Sequence, residues 1–323
     1  MKLLITGALG HIGSRLIHGL RPGEYDRVVL LDNLSTQRYC SLFNLPEGVP
    51  FRFVEADICS ADMERECAGM DMVIHLAAVT DAESSFEIAD RVAQVNLEGT
   101  RRVAQACAAR GCKLVFLSTT SVYGTQSDLV DEQCALENLK PQSPYAESKL
   151  RAEEVLHAMG SRSGLRFIIC RFGTIFGTSI GMRFHTAINK FVWQACLGRP
   201  LTVWRSALQQ KRPYLDLGDA VRALHFIMRA DRFDNQTYNV LTLNSTVQEI
   251  VNIIRGYIPN TEVELVDSRI MNQLSYEVSC ARFKSLGFEF RGSLPQGIGD
   301  IVHLMSGVRR EAVKNGQERW HGA

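Results

Sequence analysis

The chain has 323 residues, 46% of them hydrophobic and 22% charged, with 36 basic residues against 35 acidic ones for a formal charge of +1. That length can bury a large core and predicts two lobes, while the even charge, without a basic block, argues against a nucleic-acid partner or an anionic membrane surface. No run of 18 apolar residues is present to cross a bilayer, and a strand beginning at Lys2 leaves no room for a signal peptide.

The nine cysteines lack CxxC spacing, and Cys107, Cys170 and Cys196 fall in apolar patterns, so reduced thiols and a cytoplasmic setting are expected. Residues 2–6 read as a short strand. Gly7-Ala8-Leu9-Gly10-His11-Ile12-Gly13 follows, then a helical pattern with Ile12, Leu16, Ile17 and Leu20 on one face. Strand, glycine-rich turn and helix form the context a phosphate-binding loop needs: glycines admit the pyrophosphate, and the helix start supplies N–H groups and positive dipole. The spacing is GxxGxxG, which a turn without ligand also fits. The next strand, residues 27–31, ends in Asp32. A carboxylate there accepts hydrogen bonds from ribose hydroxyls and repels a 2′-phosphate, which favours NAD over NADP. Arg38 lies close by and reads as a solvated loop residue.

A third strand (51–54) leads to Asp57, a candidate partner for the adenine amino group. A fourth (72–74) ends in His75-Leu76-Ala77-Ala78, where small residues allow close packing over a cofactor and His75 reads as a satisfied strand-end side chain. One long helix is expected from Asp90 to Arg110, carrying Asn96. A fifth strand, 113–117, delivers Ser118 and Thr119. In Pro144-Tyr145-Ala146-Glu147-Ser148-Lys149, Tyr145 and Lys149 share a helix face one turn apart. An ammonium held below a phenol lowers the phenol's pKa, which makes Tyr145 a candidate acceptor for the proton of a hydroxyl whose carbon loses hydride. YxxxK alone arises by chance in many helices; its weight comes from the glycine-rich fingerprint and the Ser118–Gly124 stretch in the same chain.

Residues 165–171 form a sixth strand. The alternation predicts an α/β fold, a Rossmann-type doubly wound parallel sheet with a smaller, mainly C-terminal substrate-binding lobe. The expected division is 1–172 for the dinucleotide-binding domain, with 213–243 returning to it, and 173–212 with 244–323 for the lobe. The tail from Val308 is polar and reads as partly disordered.

TGALGHIG, Asp32, Asp57-Ile58, HLAA, NLEGT, STTSVYG, PYAESK, RFGTIFG, RPYLDLGD and YNV, in that order, resemble the extended short-chain dehydrogenase/reductase family, specifically its nucleotide-sugar epimerase and dehydratase branch. The resemblance implies NAD as cofactor, Thr119 and Tyr145 as catalytic residues, and Lys149 as the group that binds the nicotinamide ribose and tunes Tyr145. It implies cofactor contacts at Gly7, Gly10, His11, Ile12 and Gly13, at Asp32, Asn33, Asp57 and Ile58, and at Leu76, Ala77, Ala78, Asn96 and Ser118. For a nucleotide-diphosphate sugar it implies Thr80, Thr119, Thr120, Tyr145, Thr174, Arg183, Asn189, Arg212 and Arg269. No metal is implied. Relatives commonly pair the Tyr145 helix and the preceding one into a homodimer. The stripe Val92, Val95, Val103 and Ala106 is compatible with that and equally with core packing.

Two departures bear on the substrate: Thr174 stands where the family usually has Asn, and Asp216 where many members have His. Dehydratases of the family place an Asp-Glu pair after the catalytic threonine, and decarboxylases a glutamate just before VYG; here those positions are Thr120 and Ser121. The expectation is a 4-epimerase acting on an NDP-hexose or uronic acid by transient oxidation at carbon 4. The alternatives are a dehydratase or decarboxylase with an unfamiliar acid/base, a dehydrogenase or 4-ketoreductase, and a cofactor-binding regulator. Cys134 reads as a packed or solvent-facing thiol.

Overall fold

The structure, a computed structural model, describes residues 1–82, 84–126, 129–267 and 275–307. Seven strands carry the fold: β1 (Lys2–Thr6), β2 (Arg27–Asp32), β3 (Phe51–Glu55), β4 (Met72–His75), β5 (Lys113–Thr119), β6 (Phe167–Phe172) and β7 (Thr237–Val240). They pair in the order β7-β6-β5-β4-β1-β2-β3, all parallel. The chain leaves β1 toward β2 and β3, then returns to β1's other side with β4. That reversal opens a crevice outside the strands' carboxyl ends, between β1 and β4. The register aligns those ends, with Thr6 opposite both Leu31 and His75, and Thr119 opposite Phe172.

Both faces of the sheet are dry, which is why its strands read as continuous apolar runs rather than alternating ones. Side chains still alternate in direction. Leu3, Ile5, Val28, Leu30 and Ile74 face one layer, where α1 (His11–His18) supplies Leu16 and Ile17. Leu4, Val29, Leu31, Val73 and Phe116 face the other, which takes Val103 and Ala106 from α2 (Thr100–Arg110) and Ala152 and Leu156 from α3 (Pro144–Ser163). Truncating any of these fully buried leucines to alanine costs about 2–5 kcal/mol.

The expected helix from Asp90 to Arg110 is present, but it changes width along its length. Ala93–Gly99 opens into a wider π-helical segment between Ala89–Val92 and α2. The cause is local. The Asn96 amide clamps Val79 by accepting from its N–H at 2.8 Å and donating to its carbonyl at 2.9 Å, and a Cβ on Gly99 would stand 2.6 Å from Ile58 Cδ1.

A smaller sheet joins Thr174–Phe176, Lys211–Asp216 and Leu243–Thr246. Its side of the molecule has its own apolar cluster, which includes Ile188, Val192, Ile250, Ile254, Ile298 and Ile301. Within 213–243, the first residues belong to this small sheet, the helix Leu217–Ala230 packs in the layer of α1, and β7 closes the edge of the large sheet. The polar tail from Val308 lies outside the described residues.

Candidate active site

At the end of β1 the backbone turns through Gly7, whose φ of +67° is the left-handed region that glycine enters freely. A Cβ there would lie 2.6 Å from Ala77 N, and one on Gly13 would lie 2.5 Å from Ala8 O. Loop, β4 end and helix start are therefore packed backbone to backbone. Helix α1 begins after Gly10 with no side-chain cap, which leaves its N-terminal end open to an anion. Asp32 secures the loop from the next strand: one carboxylate oxygen accepts from Leu9 N–H at 3.0 Å and the other from Leu34 N–H at 2.9 Å. Asp57 accepts from Cys59 N–H, Asn33 Nδ2 and Arg91 Nη2 at 2.8–3.0 Å. Burial alone would raise its pKa; these hydrogen bonds outweigh it and hold the carboxyl at about 2. Gly7, Gly10, His11, Ile12, Gly13, Asp32, Asn33, Asp57 and Ile58 all line one cleft of about 520 Å³. A bare helix start, two glycines that admit no Cβ and an acid at the end of the next strand fit a dinucleotide.

Across the crevice, Ser143 caps α3 by accepting from Ala146 N–H, and Pro144 occupies the first turn, where it costs no hydrogen bond. That start places Tyr145 in the first turn and Lys149 one turn deeper. The Tyr145 hydroxyl is hydrogen-bonded to Thr119 at the end of β5. Lys149 Nζ donates to Leu117 O at 2.8 Å and sits 4.7 Å from the centre of the Phe116 ring. Thr119, Tyr145 and Lys149 thus meet at the cleft wall, with Leu76, Ala77, Ala78 and Ser118 beside them. His75 has the inert role expected of it, with Thr6 Oγ1 at 2.7 Å from Nδ1 and Thr100 Oγ1 at 3.0 Å from Nε2. Burial, then the Lys149 charge, hold it neutral, at about 3.

The electrostatics differ from the expectation that Lys149 depresses the Tyr145 pKa. Burial pushes the half-buried phenol up, and the groups that oppose this are the Arg183 charge and the Thr119 hydrogen bond. Lys149 is itself buried and pulled down to about 7, with Glu153 opposing the shift. One of its three N–H donors goes to the Leu117 carbonyl.

Several expected contacts stand elsewhere. Asn96 is fully buried behind the wall, bridging Val79 and, at 3.1 Å, Ser148 Oγ. Thr120 turns away to the Phe172 carbonyl. Asn189 is fully buried, accepting from Gly177 N–H at 3.2 Å and donating to Arg183 O at 3.0 Å, so it supports the wall without forming it. Ser118 lines the cleft but donates its hydroxyl to Glu153. Arg269 lies outside the described residues. Arg38 is no solvated loop residue: it lines the cleft and feels Asp32. Cys134 lies outside the cleft lining and packs beside the Val122–Tyr123 cluster.

Thr80, Thr174, Arg183 and Arg212 also line the cleft. Asp81, His185, Lys190 and Trp204 join them there and had not been singled out; the Gly181–His185 stretch, with two basic residues after a strand-like segment, was the available signal. Arg212 stands 5.9 Å from the Trp204 ring. Among the described residues, five buried polar side-chain atoms have no hydrogen-bond partner. Four belong to residues of this cleft: His11 Nε2, Arg183 Nε, Thr186 Oγ1 and Tyr214 Oη. Arg183 also donates to Thr80 Oγ1, and its charge is felt by Tyr145 and His11.

Residues 3–240 match the model of the NAD dependent epimerase/dehydratase family. The chain is 30% identical over 249 residues to an uncharacterized UDP-glucose epimerase, YtcB, of Bacillus subtilis, covering 74% of this chain and 76% of that protein. It is 30% identical over 313 residues to a trifunctional UDP-glucose 4,6-dehydratase/3,5-epimerase/reductase of Arabidopsis thaliana, covering 92% of this chain but only 46% of that longer protein. In structure it is similar to MoeE5 solved in complex with UDP-glucuronic acid and NAD, with a TM-score of 0.82, 26% identity, and 95% and 99% of the two chains covered.

Proposed function

The chain belongs to the NAD dependent epimerase/dehydratase family, and from that premise we propose that it is a nucleotide-sugar 4-epimerase acting by transient oxidation at carbon 4 of an NDP-hexose or uronic acid. The observation that carries the reading is the surroundings of Thr119 and Tyr145. The neighbouring positions are Thr120, turned away, and Ser121, and no carboxyl group from that segment flanks the reacting oxygen. Elimination of water needs such a group to take the carbon-5 proton.

The roles follow from the chain's own atoms. Tyr145 takes the proton of the sugar hydroxyl, and Thr119 shares a hydrogen bond with that phenol and orients the same oxygen. Burial raises the Tyr145 pKa, and the Arg183 charge and the Thr119 hydrogen bond oppose that rise and act in favour of the phenolate. Lys149, held by the Leu117 carbonyl, supplies a fixed cation one turn away. Gly7, Gly10, Gly13, Asp32, Asn33, Asp57 and Ile58 hold the dinucleotide. Bound there, NAD supplies reversible hydride exchange at the carbon bearing the hydroxyl.

Of the two sugar classes, a uronic acid is favoured. Arg183 carries a buried, unpartnered Nε close enough to Tyr145 for each to perturb the other. A guanidinium in a cleft is costly until an anion reaches it, and the carboxylate of a uronic acid adjoins the carbon that Tyr145 serves. Arg212 and Trp204, at the far end, suit the diphosphate and the base. Among the described residues the acids lining the cleft are Asp32, Asp57 and Asp81. Asp81, near His185, is the one feature that favours a dehydratase or decarboxylase, the alternative to be tested.

The proposed architecture is a dinucleotide domain of 1–172 with 213–243 and a substrate lobe of 173–212 with 244–323. We further propose a cytoplasmic homodimer built on α3 and the helix before it. The activity is tested by incubation with UDP-, GDP-, ADP-, CDP- and dTDP-sugars in heavy water, with isomers separated before mass analysis. The reading expects a new isomer of unchanged mass without deuterium uptake. Loss of water or carbon dioxide, or net formation of NADH, overturns it.

A further inference from the structure

Three consecutive residues at the end of β5 are each tied to α3, and each tie falls one turn deeper along the helix or beyond. Thr119 meets the Tyr145 hydroxyl, Leu117 O accepts from Lys149 Nζ at 2.8 Å, and Ser118 Oγ donates to Glu153. Tyr145, Lys149 and Glu153 recur every fourth residue, so they lie along one helix face. Glu153 lies outside the cleft lining and touches neither substrate nor cofactor space. Its side chain is 3% exposed and paired with Arg171, itself 7% exposed, through Nη2 at 2.7 Å and Nε at 3.0 and 3.2 Å. Arg171 comes from β6 and also covers the Tyr123 ring at 5.0 Å. A buried bidentate pair of this kind joins two strands and a helix directly behind the reacting groups.

We propose that Glu153, braced by Arg171, is a positioning residue for catalysis: it forms the third rung that locks α3 to β5 and keeps the Lys149 ammonium charged beside Tyr145. The groups that face Lys149 support this assignment. From its own helix come Tyr145 and the Glu153 carboxylate; from β4, His75, which is neutral; from β5, the Phe116 ring and the Leu117 carbonyl; and behind Glu153 stands its partner Arg171 from β6. Glu153 is the one anion of the set. Without it, Lys149 would keep the burial that already lowers its pKa and lose the one charge that opposes it.

The assignment rests on the catalytic roles proposed for Tyr145 and Lys149, so the first readout uses no substrate. Lysine side chains are labelled with carbon-13 and their titration is followed by NMR, with Lys149→Met identifying the resonance. In the unaltered protein the Lys149 midpoint is expected near the value of about 7 that burial imposes. Glu153→Gln, which keeps the shape and the acceptor for Ser118, is expected to lower it by about one pH unit. On whichever substrate proves active, kcat at neutral pH then falls roughly fivefold with KM little changed, and activity is regained toward acid pH. A purely structural Glu153 predicts the opposite pattern: a lower melting temperature with the Lys149 midpoint and the pH profile unmoved. That result overturns the proposal. If Glu153→Gln does not fold, Ser118→Ala removes the rung and leaves the ion pair. It is expected to lower kcat severalfold with KM little changed, and an unchanged kcat overturns the rung. A shifted Lys149 midpoint in a protein inactive on every sugar tested supports the coupling while leaving the substrate reading to fail by itself.

Discussion

The two ends of the cleft are built in opposite ways. At the dinucleotide end most polar groups are already paired: both Asp32 oxygens accept backbone N–H groups and Asp57 is held by three donors, with His11 Nε2 the one buried atom there that lacks a partner among the described residues. At the sugar end, Arg183 Nε, Thr186 Oγ1 and Tyr214 Oη are buried without a partner. A pocket whose donors satisfy one another is preorganised for a ligand that is always the same. One whose donors stand unsatisfied is completed by its ligand, and each unmet group carries a cost that binding relieves. The chain keeps NAD geometry in its backbone and substrate choice in side chains that wait.

The substitution expected to have the largest effect falls where the ends meet. Tyr145→Phe removes the proton acceptor and keeps the ring, so turnover should fall by about 10²–10⁴-fold while NAD affinity, read by fluorescence titration, stays within about twofold. Breaking the prebuilt end comes next. Gly7→Val puts a Cβ 2.6 Å from the Ala77 backbone at a φ of +67°, which neither segment can relieve by a side-chain movement. It should abolish NAD binding and destabilise the fold by about 1–3 kcal/mol, measured by denaturant unfolding.

The waiting end should respond in the reverse sense. Arg183→Leu is expected to cost about 1.5–3 kcal/mol of transition-state binding on a nucleotide uronate, a loss of roughly 10- to 150-fold in kcat/KM, and much less on the neutral hexose. Because it removes a charge that lacks a full partner in the free protein, the melting temperature should hold or rise. A fall comparable to that of Gly7→Val would erase the contrast between the ends. The smallest effect concerns Asp57→Asn. The Asp57 pKa is held near 2, below its unfolded value of about 4, so its carboxylate stabilises the fold above pH 4 and the contribution disappears as pH falls to about 2. The variant should lie about 1 kcal/mol below the parent at neutral pH, and the gap should close on acidification.

Legibility in the sequence follows the same division. The glycine loop, Asp32 and Asp57 each stand directly at a strand's carboxyl end, so spacing along the chain was enough to single them out. Tyr145 and Lys149 were legible from helical periodicity. What periodicity could not supply was depth: burial turns the Lys149 ammonium toward Leu117 and makes Arg183, 38 residues further on, the charge that Tyr145 feels. Asn96 was expected as a cofactor contact from the resemblance of NLEGT alone; it stands fully buried in a π-helical segment and bonds the Val79 backbone. Asn189 failed for a related reason, its amide serving the backbone of Gly177 and Arg183. The sugar end was least legible because Thr80, Arg183, His185, Trp204 and Arg212 meet only when the small sheet closes on the large one. Glu153 completes the four-residue period of Tyr145 and Lys149, but its meaning depends on Arg171 from a strand the periodicity does not reach.

The central claim is that Tyr145 serves an oxidation at carbon 4 that is reversed before product leaves. It is tested most directly with UDP-glucuronate carrying deuterium at carbon 4, incubated with the NAD-loaded enzyme in ordinary water and examined by NMR. The account predicts the 4-epimer with the deuterium retained at carbon 4 and no accumulation of reduced cofactor. Deuterium found in reduced cofactor beside a ketone product, or product lacking water or carbon dioxide, would contradict it.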